Sequence, residues 1–204
     1  MDIVKEAKDV FNKEIKELIS LKETIGDDFL KAVDCIYKCT GKVIFTGVGK
    51  SAHISSKIAS TMSSLGTPSF FIHSSELAHG DLGAIEKNDI VVILSNSGET
   101  KEIINIMDSI KKRDSTIILI AQNKDCTLAK CADLCLETNV STEACHLNLA
   151  PTNSATAMLV LGDALAITLS NLKKYGEKDF YCNHPGGKLG EVLNKDYNIE
   201  TSYA

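Results

Sequence analysis

The chain has 204 residues, 44% of them hydrophobic and 24% charged, enough for one sizeable core and typical of a globular protein. Its 22 Lys and Arg against 27 Asp and Glu leave a formal net charge of −5, with no basic stripe to offset it, which argues against nucleic acid as a partner. No apolar run reaches the roughly 18 residues of a membrane span, and the opening "MDIVKEAKDVF" lacks the apolar stretch of a signal peptide, so a cytoplasmic location without a membrane partner is expected.

Along the chain, Val4, Ala7, Phe11, Ile15 and Leu18 recur at three- and four-residue steps, which predicts a first amphipathic helix. Phe29, Leu30, Val33, Ile36 and Tyr37 predict a second, with Gly41 suited to its end. Two helices within 1–40 would cover a sheet face or pack on another subunit. From 41 to 176 the rhythm changes. "KVIF" (42–45), "SFFI" (69–72), "DIVVIL" (89–94), "STIILIA" (115–121) and "ADLCLE" (132–137) are short, nearly continuous in apolar character and rich in β-branched residues, as strands buried on both faces are. Helical stripes lie between them: Ile54, Ile58, Met62 and Leu65, closed by Gly66, and Ile103, Ile106, Met107 and Ile110, closed by Lys111, Lys112 and Arg113. A longer helix from Thr152 to about Tyr175 reads apolar almost all round and is expected to be central. The expected fold is a three-layer, doubly wound α/β domain with five parallel strands and right-handed crossovers, followed by a C-terminal segment, 177–204.

The seven cysteines form no common zinc spacing and read as small reduced thiols, so neither a disulfide framework nor a metal site is expected. Cys145-His146 and Cys182/His184 are the weaker metal-ligand alternative.

In an open parallel sheet, ligands bind beyond the carboxyl ends of the strands. The first strand runs into "TGVGKSAH", the second into "HSSELAHGDLG", the third into "SNSGETKE", the fourth into a bland "QNKD" and the fifth into "NVSTEACHLNLAPTNS". "SNSGET" suits an anion. Ser95 and Ser97 carry hydroxyls, Gly98 permits a tight turn, Thr100 can cap the helix that follows, and that helix start would attract a phosphate. Glu102 then falls within the helix's first turn. "GVGKS" lacks the spacing of a Walker loop, because Val43 stands where its first glycine belongs. Gly47 and Gly49 still allow close backbone approach, Ser51 can donate to a phosphate, and Lys50 adds a charge. Glu99 reads as a solvent-facing charge, His53 as second-layer or surface, His73 as structural, and Asp163 as paired inside the core.

"TGVGKS", "TPSFFIH", "AHGDLG", "ILSNSGET", "EACHLNLAPTNSATAMLVLGDALA" and "FYCNHPGGKLG" together closely resemble the sugar isomerase (SIS) domain of arabinose-5-phosphate isomerases. The resemblance implies phosphate contacts from Ser51, Ser95, Ser97 and Thr100, and a substrate site that also includes Gly49, His79, Asn96 and Thr152. It places the catalytic set on Lys50, Glu102, Glu143 and His184, and implies a homotetramer with histidines contributed by neighbouring protomers. The implied reaction interconverts ribulose 5-phosphate and arabinose 5-phosphate. Such aldose–ketose isomerisation moves a proton between adjacent carbons through an enediol. It asks for a carboxylate base, a donor for the enediolate oxygen and an acid–base group for ring opening, and it needs no cofactor. Position 52 is Ala where close relatives often have Gly, and 146 is His where Pro is common. Many relatives continue into a pair of CBS domains, whereas this sequence stops soon after "LGEVLNKDYN", which leaves nucleotide regulation unexpected. The competing readings are an isomerase of phosphoheptose or hexulose phosphate, and a phosphosugar-binding module without turnover.

Overall fold

A computed structural model describes residues 2–184. Helix α1 (Ile3–Glu23) starts at Asp2, whose carboxylate accepts from the amides of Val4 and Lys5. Helix α2 (Asp27–Tyr37) ends at Lys38 rather than at Gly41. Gly41 answers a different need: a side chain there would collide with Asn88 and Asp89. Strands β1 (Val43–Gly47), β2 (Ser69–Phe71), β3 (Ile90–Leu94), β4 (Thr116–Ala121) and β5 (Leu134–Glu137) form one parallel sheet in the order β2-β1-β3-β4-β5.

The period of two along each strand sorts the core into two layers. Val43 and Phe45 of β1, Ile90, Val92 and Leu94 of β3, and Ile118 and Ile120 of β4 share one cluster with α1, α2, α3 (Lys50–Ser64) and α7 (Asn153–Leu172). Ile44, Val91, Ile93, Ile117 and Leu119 point the other way. They join α4 (Ser74–Ala78), α5 (Lys101–Ile104), α6 (Met107–Lys111) and Leu128 of the β4–β5 loop. Phe45 is fully buried, and burying a side chain of that kind contributes about 1.5–3 kcal/mol.

Several elements differ from the sequence reading. The helix expected around Ile103–Ile110 is two short pieces, α5 and α6, yet Ile103, Ile106, Met107 and Ile110 are all buried, so the apolar stripe keeps its packing across the break. The segment after β2 holds α4 and a 3-10 turn, Asp81–Ala84. A further helix, α8 (Glu177–Asn183), precedes His184. The stripe of α1 does not face the sheet: Val4, Phe11 and Ile15 are exposed, while Glu17 and Leu21 are buried. By length and composition α7 could cross a membrane, alone among the described residues. It instead places Ala157, Met158, Leu161, Leu165 and Leu169 in the core, as the central helix expected there. Asp163 on α7 pairs with Lys57 of α3 at 2.5 Å, but partly exposed rather than inside the core.

Candidate active site

Strand β1 turns into α3 on one layer and β3 turns into α5 on the other, so a crevice opens between their carboxyl ends, as it does wherever a doubly wound sheet reverses direction. Gly47 pairs with Leu94 across this reversal, which sets "VGKS" beside "SNSGET". Gly49 has φ of 60°, left-handed backbone that favours glycine. Helix α3 therefore starts abruptly at Lys50, with no side chain capping it, and its first amides and the positive end of its dipole face the crevice mouth. Lys50 is exposed and Ser51 half-buried. Below them, the hydroxyl of Ser55 donates to the carbonyl of Thr46, and Thr46 shares a hydrogen bond with Ser74 of α4, which fixes the end of β1 to both layers.

Beyond β3, the amide of Ser95 donates to the carbonyl of Ile120 and that of Gln122 to the carbonyl of Asn96, so sheet bonding continues past the strand ends. Ser95 is buried and shares a 2.8 Å hydrogen bond with the hydroxyl of Thr100. Thr100 stands at the start of α5, but its side chain bonds Ser95 and does not cap the helix. Since α5 is a single turn, little helix dipole is available there, and an anion at this exit would have to rest on hydroxyls, loop amides and the start of α3. Gly98, at φ of 63°, turns back onto Cys126, and a side chain at this position would overlap the Cys126 thiol. Ser97 is exposed, its hydroxyl accepting from the amide of Glu99.

Glu143 closes the other side. Its Oε2 accepts from the amide of Thr152 at 2.7 Å, from the Thr152 hydroxyl at 3.0 Å and from the amide of Ser154 at 3.2 Å, and its Oε1 accepts from the Ser154 hydroxyl. These residues begin α7, so Glu143 occupies the anion position at the start of that helix. Burial works to raise the Glu143 pKa, but the bonds from Ser154 and Thr152 outweigh it and hold the carboxyl below the usual carboxylate range. Asn96, Gln122, Ser141, Thr142, Glu143, Asn148, Leu149 and Pro151 line an open cleft of about 260 Å³. The side-chain oxygen of Asn96 is buried without a hydrogen-bond partner among the described residues, a free acceptor at the edge of the cradle.

Of the residues singled out from the sequence, Gly49, Lys50 and Ser51 lie at the β1 exit, Ser95, Asn96, Ser97, Thr100 and Glu102 at the β3 exit, and Glu143 and Thr152 at the β5 exit. Glu102 is exposed in the first turn of α5. Thr152 spends both its amide and its hydroxyl on Glu143. His79 is exposed at the end of α4. His73 caps α4 by accepting from the amide of Ser75, the structural part expected of it, and His53 is exposed on α3. Glu99 is exposed but not idle, since it accepts from the amide of Thr127 at 2.6 Å.

His184 is not brought into this group. Its ring stacks on Phe180 with centroids 3.9 Å apart and contacts the carbonyl of Phe180, and the neighbouring Asn183 donates to the carbonyl of Ser63. Ser63 lies at the far end of α3 from Lys50, and a helix of that length separates its ends by roughly 20 Å. The "PGG" that follows His184 lies outside the described residues.

Ser154, Asn148 and Gln122 escaped the sequence reading. Asn148 accepts from the amide of Glu143 at 2.6 Å, and Gln122 donates to the carbonyl of Val140 at 2.8 Å. Ser154 had a usable signal, a hydroxyl at the start of a long apolar helix. Gln122 had none, because a single amide after a strand is ordinary loop chemistry.

The SIS domain profile matches residues 36–168. Arabinose 5-phosphate isomerase KdsD of Pseudomonas aeruginosa is 46% identical over 193 residues, which are 95% of this chain and 59% of that protein. The enzyme of the same name from Francisella tularensis is 47% identical, over 93% of this chain and 59% of its own length. The chain thus spans about three-fifths of the curated relatives it matches. An Escherichia coli CFT073 protein solved in complex with arabinose 5-phosphate superposes with a TM-score of 0.88 at 42% identity, covering 90% of this chain and 98% of that one. The chain belongs to the SIS domain family.

Proposed function

We propose that the chain is an aldose–ketose isomerase that interconverts D-ribulose 5-phosphate and D-arabinose 5-phosphate through an enediol. The observation that carries this reading is the cleft in which Asn96, from the hydroxyl-lined cradle, and Glu143, an ionised carboxylate, line the same space. The names of the relatives above and the sugar phosphate bound to the E. coli structure support the choice of sugar.

In this mechanism the phosphate sits against the hydroxyls of Ser51, Ser95, Ser97 and Thr100 and the amides at Gly49 and the start of α3. That anchors one end of the sugar and directs the other toward the carboxylates. Glu102 carries the proton between C1 and C2. Glu143 is the poorer base, because four donors already stabilise its ionised form and accepting a proton would break them. Glu143 instead binds sugar hydroxyls, with Thr152 fixing its orientation. Lys50 stabilises the enediolate oxygen, and Asn96 accepts from a sugar hydroxyl. His79 lines the site. His184 assists ring opening from a second copy, since within one chain it stands at the far end of α3. The exposed Val4, Phe11, Ile15 and Ile19 of α1 supply an apolar face of the kind a homotetramer would cover.

The test is to incubate the protein with D-ribulose 5-phosphate, and separately with a heptulose 7-phosphate and a hexulose 6-phosphate, and to resolve the products. Arabinose 5-phosphate from the first alone supports the reading. Faster turnover of either other ketose overturns the substrate assignment, and binding of all three without turnover overturns the enzyme.

A further inference from the structure

Glu17 is the only charged residue of α1 that is fully buried among the described residues, at 5% exposed. No basic group among the described residues is paired with it. Its partners are all on one loop: Oε2 accepts from the amide of Ser141 at 3.1 Å, and Oε1 accepts from the hydroxyls of Ser141 at 2.6 Å and Thr142 at 3.3 Å. Burial opposes its ionisation, yet the bonds from Ser141 and Thr142 lower its pKa overall. Residues 141 and 142 immediately precede Glu143. One turn earlier on α1, the ammonium of Lys13 donates to the carbonyl of Ala144 at 3.1 Å, immediately after Glu143. Residues 13 and 17 share a helix face, so α1 grips the backbone on both sides of that glutamate.

The loop is also held from other sides: Gln122 donates to the carbonyl of Val140, the amide of Glu143 donates to Asn148, and the amide of Ala144 donates to the hydroxyl of Thr152. Ser141, Thr142 and 146–151 are exposed. The side-chain amide of Asn153 donates to the carbonyl of Thr142 from the α7 side, and Glu143 itself is bonded to α7. A carboxylate at position 17 is a costly way merely to attach a helix, because an apolar residue would pack there without the desolvation cost. An acceptor with two oxygens does something an apolar side chain cannot: it orients the amide and hydroxyl of Ser141 and the hydroxyl of Thr142 at once.

We propose that Glu17 is a positioning residue for Glu143, setting the backbone that aims its carboxylate into the cleft. The inference rests on the isomerase reading for its effect on turnover, but not for its effect on the loop. Two readouts separate the two. In Glu17→Ala, kcat with D-ribulose 5-phosphate should fall about 10- to 100-fold, the scale for a reacting geometry displaced by about 1 Å. KM should rise too, because Glu143 binds sugar hydroxyls, but by less than on loss of the Glu143 charge itself, since the phosphate cradle lies on other strand exits. Amide hydrogen exchange at Ser141, Thr152 and Ser154 should accelerate, while exchange in β1, β3 and β4 stays as in the parent. Glu17→Gln, which keeps one acceptor oxygen and the shape, should recover part of both effects and guards against a variant that does not fold. An active parent whose folded Glu17→Gln and Glu17→Ala forms keep kcat within about twofold would overturn the proposal. So would unchanged exchange at Thr152 and Ser154, whether or not the parent turns the substrate over. An inactive parent whose Glu17→Ala form still shows accelerated exchange would sink the isomerase reading and leave the positioning of Glu143 standing.

Discussion

Thr152 gives both its amide and its hydroxyl to a single oxygen of Glu143, so that carboxylate is fixed in direction and held ionised before any substrate arrives. A group in that state orients and binds more readily than it accepts a proton, whereas Glu102 is exposed at the opposite exit. The two glutamates should therefore respond differently to loss of charge. Glu102→Gln should lower kcat about 10²- to 10⁴-fold, the usual contribution of a positioned general base, with KM near the parent value. Glu143→Gln should raise KM as well as lower kcat. Steady-state kinetics on both variants checks this, and a Glu102→Gln enzyme with parent turnover would reassign the base.

Removing one cradle hydroxyl should weaken anchoring more than chemistry. Ser97 is exposed and its hydroxyl is engaged by the Glu99 amide alone among the described residues, so Ser97→Ala should fold normally. Loss of one hydrogen bond to a charged phosphate is worth about 1.5–3 kcal/mol, so KM should rise roughly 10- to 100-fold with kcat within a few-fold. Ser95→Ala should also release Thr100 and cost more.

Acid should destabilise the fold through a short set of carboxylates. Asp89 accepts from the amides of Lys42 and Glu86 and from the Lys42 ammonium at 2.7 Å; burial opposes its ionisation, but the bonds from Lys42 and Glu86 lower its pKa overall. Glu17 and Glu143 are lowered too. Depressed folded-state pKa values mean that the unfolded chain takes up protons first, at about pH 4. The stabilisation is therefore complete above that pH and disappears as pH falls through the lower folded values. Thermal midpoints should be flat from neutral pH to about 5 and drop steeply below about 4. Asp89→Asn should start lower and drop less.

His184 provides a test of shared sites. If it acts in a second copy, mixed oligomers of two inactive variants, Glu102→Gln and His184→Ala, should regain activity, because some sites receive an intact residue from each. Co-expression with different affinity tags and assay of the doubly purified species would show the recovery. Mixed oligomers as inactive as either parent would contradict a site shared between copies.

The fold was readable from the chain because its strands are unbroken β-branched runs and its helices amphipathic: "DIVVIL" and "STIILIA" leave few alternatives. The turn after β3 was readable because small hydroxyls and Gly98 crowd there, and Ser95 and Thr100 do meet across it. Three features were not. The break between α5 and α6 leaves the stripe of Ile103, Ile106, Met107 and Ile110 buried, so periodicity alone cannot reveal it. The apolar stripe of α1 predicts a buried face, but the chain buries the neighbouring face, which carries Glu17 and Leu21, and leaves Val4, Phe11 and Ile15 exposed. Glu143 and Ser154 are eleven residues apart, and their bond depends on how a loop returns to a helix start, which spacing does not encode.

The most direct test of the central claim is NMR of D-ribulose 5-phosphate incubated with the protein in deuterium oxide. An enediol formed by a carboxylate base should yield arabinose 5-phosphate with deuterium at C2, together with label at C1 of the recovered ketose after repeated reversals. No aldose from a protein that binds the ketose, or aldose that stays unlabelled over many turnovers, would contradict it.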